Sequence, residues 1–343
     1  MRAAAYVGED TIRVQEREPV EPAPGQVRLD VAYVGICGTD LHIKHGAMDG
    51  RVTLPAVIGH EMSGTVAAVG DGVTEWTQGD RVTVMPLRWC GDCAACHAGH
   101  RHVCQRLVFV GIDAPGALQQ SWTVDQELVV RLPERLPLDH AALAEPVAVA
   151  VHDVRRAGLA AGGRALVVGG GPIGLLIALV AASEGIGVVI SEHNAFRRAV
   201  AEQLGLRTID PIAEDVTSAL DDWTDGAGVD VAFEVSGSGP GLATATHSLR
   251  VRGRLVVVAI HSQPVPVDLF RVFWRELELF GARVYERADF ERAVELLAAG
   301  SIPAAPLISA VVPLERTADA FAVLEGGGDV LKVLIECRQE AAR

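Results

Sequence analysis

Residues 165–174 read ALVVGGGPIG, an apolar strand running through a glycine-rich turn into the start of an apolar helix. Within it Gly169, Gly171 and Gly174 satisfy the G-x-G-x-x-G spacing in the strand–turn–helix setting that dinucleotide binding requires. Gly169 makes the tight turn, Gly171 lets the backbone approach a pyrophosphate, and Gly174 permits close packing of helix on strand. Pro172 and Ile173 open the helix whose N-terminus meets the phosphates. The next strand, VVISE, ends at Glu192, eighteen residues beyond Gly174, near the ~20 expected of an acid that binds ribose hydroxyls. A carboxylate there repels a 2′-phosphate, so NAD is expected rather than NADP. Arg197 and Arg198 follow at a helix start; an Arg there either accommodates a 2′-phosphate or stays solvated, and Arg197 joins the candidate cofactor residues.

Outward from this segment the pattern divides the chain. After Arg164, apolar strands alternate with helical stretches (FRRAVAEQLG, VDVAFEVSG, LATATHSLR, RLVVVAI), which implies a parallel sheet with crossover helices. Before it, β-branched runs broken by Gly, Pro and Asp (VRLDVAYVGIC, GTVAAVG, DRVTVMP, ELVVRLP) read as an all-β, loop-rich domain. The tail, with DFERAVELLAAG, ADAFAVLEGG and LKVLIEC, is too short for its own domain and is expected to rejoin the first. The expected boundaries are 1–152, 153–282 and 283–343.

Composition agrees. The 343 residues correspond to about two domains at ~150 residues each. Thirty Lys+Arg against 44 Asp+Glu leave a charge of −14, which disfavours nucleic acid and anionic membrane surfaces as partners. The uncharged run 165–183 approaches the length of a membrane span, but GGGP splits it into strand and helix. The N-terminal MRAAAYVGEDTIRVQERE does not read as a secretory signal, so a cytoplasmic protein is expected.

Cys90, Cys93, Cys96 and Cys104 lie within fifteen residues, a spacing from which tight turns close a tetrahedron of soft ligands around a structural zinc. An iron–sulfur cluster or buried free thiols are the alternatives. His97, His100 and His102 share the lobe, but four thiolates complete a closed site, so these are expected at the surface. A second set is more open. Cys37 in GICGTDLH and His60-Glu61 in GHE supply a thiolate, an imidazole and a carboxylate, a zinc ligand set with one position free. Glu145, an acid in the apolar run ALAEPVAVAVH, needs a partner or a metal if buried. Adjacent strand residues face opposite ways, so His60 and Glu61 share a metal only if Gly59 turns the chain. Asp40 is placed to accept the other ring N–H of His60, or else caps a turn.

Taken in order, GICGTDLH, GHE, the four-cysteine lobe, the AEP segment, GGGPIG and Glu192 resemble the zinc-dependent medium-chain alcohol dehydrogenases over essentially the entire chain. Glu145-Pro146, CGTDLH and ISEHNAFRR are similar to the branch that contains sorbitol (polyol), butanediol and threonine dehydrogenases. The resemblance implies an α/β fold, a GroES-like β-rich catalytic domain with an inserted Rossmann domain built on a doubly wound parallel sheet. It implies two Zn²⁺ per chain, the catalytic one held by Cys37, His60 and either Glu61 or Glu145, the other carboxylate bonding zinc water or exchanging as a ligand. Thr39 would take the alcohol proton and pass it through the nicotinamide ribose to His42. Ser236, Val258 and Ile260 would meet the cofactor, Arg283 and Tyr285 the substrate, and the chain would form a homo-oligomer, a tetramer before a dimer. Where relatives read F-A-E-Y this chain has Leu118-Gln119-Gln120-Ser121, and the loop 43–55 lacks the aromatics of polyol dehydrogenases, which leaves the substrate open.

The expected activity is oxidation of a secondary alcohol (a polyol, cyclitol, amino alcohol or vicinal diol) to a ketone, with hydride passing to NAD⁺. L-threonine 3-dehydrogenase is the alternative within the class. A non-catalytic dinucleotide-binding protein is the alternative outside it, and predicts loss of the open zinc site or proton relay, whereas all six residues are retained.

Overall fold

The alternation in VRLDVAYVG builds the strand Gln26–Gly35, with Val27, Leu29 and Val31 buried. It pairs antiparallel with Glu61–Val69 on one edge. On the other edge Ser121–Asp125 covers its first half and Lys332–Glu336 its second. Arg81–Val84, Val129–Arg131 and Ile308–Pro313 extend this into a seven-stranded sheet. The tail therefore supplies two strands to this sheet. The register sets Gly35 between Glu61 on one side and Leu334 on the other. The all-β expectation is corrected by short helices at Gly38–Lys44, Ala94–His97 and Leu138–Ala141. At four to seven residues they are too short to display a helical period.

These elements form the first of two compact units in the computed structural model, which describes residues 1–338: residues 1–145 with 286 onward, and Pro146–Tyr285. The change-overs lie at 145/146 and 285/286, a few residues from the expected 152/153 and 282/283. The helix Ala144–Ala157 runs through the first change-over, so no loop or composition shift marks it.

In the second unit six parallel strands stand in the order Arg207–Ile209, Gly187–Ser191, Arg164–Val168, Val229–Glu234, Leu249–Val257, Glu278–Gly281. Numbered along the chain this is 3-2-1-4-5-6, the doubly wound dinucleotide-binding order. Leu166, Val168, Val189, Leu220, Ala232 and Leu255 belong to its buried core. The helix Pro172–Ser183 is buried from Gly174 to Ala181, which explains its lack of charge. Among the described residues no helix is long and apolar enough to cross a membrane.

Candidate active site and metal centres

The four-cysteine lobe is folded around its sulfurs. The Sγ–Sγ separations are 3.4 Å for Cys90–Cys104, 3.8 Å for Cys93–Cys104 and 4.0 Å for Cys90–Cys96. A disulfide is far shorter, whereas the edge of a tetrahedron with Zn–S bonds of ~2.3 Å is about 3.8 Å. Backbone N–H groups of Cys90, Asp92, Gln105 and Arg106 point at these sulfurs at 3.3–3.4 Å. The Asp92 amide and the Arg106 guanidinium lower the Cys90 thiol to about 6, while burial and the neighbouring thiols push Cys96 up to about 11. Four anions in one pocket repel one another unless a cation joins them, and the residues fit zinc. His97 and His100 are exposed as expected. His102 departs from that expectation: its side chain is only 10% exposed, with Nδ1 3.5 Å from the Glu286 carboxylate.

The open site begins at Cys37, which precedes the helix Gly38–Lys44; the Asp40 carboxylate accepts the Cys37 backbone N–H at 2.9 Å and closes its first turn. Gly59 has φ +92°, and a Cβ there would meet Leu118 at 2.9 Å and Val34 at 3.0 Å. That left-handed turn, open to glycine alone, brings the adjacent His60 and Glu61 together with Cys37, one ligand atom of each within 4.8 Å of the others. The His60 ring stands edge-on to Phe109 at 5.1 Å. Asp40 lies on its Nδ1 side at 3.8 Å, an ion-pair distance rather than the expected hydrogen bond.

Glu61 has a partner that sequence reasoning missed. Lys332 Nζ donates to both Glu61 carboxylate oxygens at 2.8 Å and to the Ile36 carbonyl at 3.2 Å, and both side chains are buried. They meet across Gly35, where a Cβ would come 2.1 Å from Glu61 Oε2. The available signal was a lysine inside the apolar run LKVLIEC. Glu145, buried in the first turn of its helix, acts on the same site electrostatically, but is outside the convergent trio. Burial opposes charge on His60, yet Asp40, Cys37 and Glu145 prevail and raise the imidazole to about 10. A buried site with this negative field, offering S, N and O donors, fits zinc. The exposed trio Asp10, His45 and Glu325 differs, because Lys44 already supplies its cation, 2.6 Å from Asp10 and 2.7 Å from Glu325. Thr39 is half-buried and His42 exposed, three residues on and on the same helix face.

In the second unit Gly169 has φ +102°, and a Cβ on Gly174 would collide with the Gly169 carbonyl oxygen at 1.8 Å. Gly171 caps the helix that opens with Pro172 and Ile173. Glu192 lies against this loop, its carboxylate accepting the Gly170 and Asn194 amides at 2.7 Å. Arg197 Nη1 is 3.9 Å from Glu192 and also beside Gly171. Arg198 is committed elsewhere, to the Glu192 and His193 carbonyls and to Asp210. Ser236 stands next to Gly169. Val258 donates its amide to the Glu234 carbonyl, and Ile260 is exposed. Arg283 is exposed and Tyr285 fully buried.

Residues 23–134 match the alcohol dehydrogenase GroES-like domain, and residues 172–299 match the zinc-binding dehydrogenase domain. The 2-dehydro-3-deoxy-L-galactonate 5-dehydrogenase of Pseudoalteromonas atlantica is 51% identical to this chain over 99% of it and 100% of the relative. The chain belongs to the zinc-dependent medium-chain alcohol dehydrogenases. The dehydrogenase also superposes on solved structures. The 2R,3R-butanediol dehydrogenase of Bacillus subtilis matches with a TM-score of 0.90 and 31% identity, covering 98% of this chain and 99% of that one. A zinc-binding dehydrogenase from Sinorhizobium meliloti, bound to NADP, matches with a TM-score of 0.92 and 31% identity, covering 98% of each. This dehydrogenase is accordingly an oxidoreductase of secondary alcohols, and the four-cysteine cluster and the Cys37–His60–Glu61 trio both lie in the first unit.

Proposed function

We propose that the dehydrogenase oxidises a secondary hydroxyl of a sugar acid of the 2-dehydro-3-deoxyaldonate class to a ketone, with NAD⁺ as hydride acceptor. The observation that carries the substrate class is the 51% identity to the Pseudoalteromonas enzyme over the whole chain. Cys37, His60 and Glu61 would hold a catalytic zinc, with Glu145 the carboxylate that replaces Glu61 when Lys332 retains it. Cys90, Cys93, Cys96 and Cys104 would hold a structural zinc. When bound, the catalytic zinc would supply Lewis acidity to the substrate hydroxyl, and the nicotinamide would serve as the hydride acceptor. Thr39 Oγ1 would accept the hydroxyl proton while passing its own on, through the nicotinamide ribose, to the exposed His42 imidazole, which releases it to water, so that alcohol and NAD⁺ give ketone, NADH and a proton. Gly169, Gly171 and Gly174 admit the pyrophosphate. Glu192 takes the ribose hydroxyls and disfavours a 2′-phosphate, with Arg197 on the pyrophosphate side. Ser236, Val258 and Ile260 lie toward the nicotinamide, and the exposed Arg283 is a substrate contact in this reading; Tyr285, fully buried with no surface to offer a substrate, is withdrawn from that role.

A homo-oligomer, a tetramer before a dimer, belongs to the same reading. Leu269, Phe270, Phe273 and Trp274 support it, since all four are at least 70% exposed on one helix. Light scattering checks the mass. The activity is tested by following NADH with 2-dehydro-3-deoxy-L-galactonate, sorbitol, 2,3-butanediol and L-threonine. The sugar acid should give the highest kcat/KM. Threonine in first place would replace this substrate class with an amino alcohol, and a preference for NADP⁺ would overturn the reading of Glu192.

A further inference from the structure

Beside the glycine loop, the end of the strand Val229–Glu234 carries a polar constellation that the zinc chemistry does not use. Glu234 is fully buried. Its Oε1 accepts from the Ser236 amide at 2.9 Å, the Ser236 hydroxyl at 2.6 Å and the Gly237 amide at 2.9 Å. Its Oε2 faces His261 Nε2 at 2.9 Å. His261 follows the next strand, Leu249–Val257, and its side chain is 14% exposed. Its Nδ1 is buried and has no hydrogen-bond partner among the described residues.

A carboxylate oxygen only accepts, so Nε2 must carry the proton, and in the neutral ring Nδ1 is then an acceptor with its lone pair directed away from Glu234. Leaving a buried acceptor unpaired is costly, which points to a ligand donor that completes it. The fold says which part of the ligand arrives there. A dinucleotide lies across the carboxyl ends of the strands with its pyrophosphate at the first glycine turn. Glu192, on the Gly187–Ser191 side of that turn, takes the adenosine ribose, so the other half crosses toward the strands that end at Glu234 and Val257. A phosphate near the Glu234 carboxylate would be repelled. The nicotinamide carboxamide instead presents a neutral N–H donor that complements Nδ1.

We propose that His261 recognises the nicotinamide: Nδ1 accepts a hydrogen bond from the carboxamide N–H, while Glu234 fixes the tautomer through Nε2. This rests on the nicotinamide-dinucleotide reading and is independent of the 2′-phosphate, because both cofactors carry the same carboxamide.

The test is calorimetric binding of ADP-ribose, NADH and the 3-acetylpyridine analogue of NADH to the full chain and to His261→Gln. Glutamine keeps a donor toward Glu234 and places no atom at Nδ1. NADH should bind the variant about five- to tenfold more weakly, the cost of one hydrogen bond. ADP-ribose should bind both proteins alike. The analogue, whose methyl ketone has no N–H, should also bind both alike. Unchanged NADH affinity, or equal weakening of NADH and ADP-ribose, overturns the proposal. Failure of ADP-ribose to bind the wild type overturns the dinucleotide reading beneath it. Should the variant not fold, the wild type alone decides, because equal affinity for NADH and the analogue also overturns the assignment.

Discussion

Glu61 and Lys332, far apart in the chain, meet beside Gly35, and their contacts make the sharpest predictions at the scale of single side chains. Lys332 bonds both oxygens of Glu61 in a buried site, so Lys332→Met strands a carboxylate. Removing one member of such a pair costs about 3–5 kcal/mol, and urea unfolding of the metal-free protein should show a loss of that size, with Lys332→Arg losing less. Gly35→Ala acts on the same carboxylate from the other side, because its Cβ would occupy the position of Glu61 Oε2. The substitution should lower kcat/KM at least about 10- to 100-fold, the effect of disturbing even an outer partner of a metal site, while metal analysis finds the four-cysteine zinc retained. Cys37, His60 and Glu61 were legible as a candidate ligand set because a thiolate, an imidazole and a carboxylate are the donor types zinc takes, and the structure brings the three together. Lys332 was not, because its partner is 271 positions away.

Elements bring a second set of constraints. The buried core of the lobe from Cys90 to Cys104 consists of cysteines, with only Trp89, Ala95 and Leu107 packed beside them. Cys93→Ser should therefore remove one zinc per chain and lower Tm, read by metal analysis and calorimetry, with the larger loss in chelator. On the strand Val229–Glu234, Asp230 accepts the Arg164 amide at 2.8 Å and Arg250 Nε at 2.6 Å. Burial pushes its carboxyl up, but those two donors outweigh burial and hold it below the usual range. A depressed folded pKa contributes stability above the unfolded value of about 3.9, lost as pH falls through the folded pKa. Asp230→Asn should thus be less stable than wild type at neutral pH, with the gap closing below about pH 4 in urea midpoints. Most strands and long helices were legible from their periods. The helix Leu269–Trp274 was not, because it spans under two turns and exposes four large apolar side chains.

At the scale of the whole molecule, the four-cysteine cluster and the Cys37–His60–Glu61 trio belong to one compact unit and the glycine loop to the other. Leu166 is fully buried in the core of the second. Leu166→Ala should cost about 2–5 kcal/mol and leave both metal contents unchanged in protein held below its unfolding transition. The glycine turn and the four-cysteine spacing were legible in the sequence alone, because each is a short contiguous motif, and the acid at Glu192 because it stands at the end of the next strand, at a recognisable distance from that turn. Only the tertiary structure decided that Lys332 neutralises Glu61, that His261 is oriented by Glu234, and where one unit yields to the next. Those outcomes follow from strand register and from the return of a distant tail, and pairing between residues hundreds of positions apart leaves no local pattern to read.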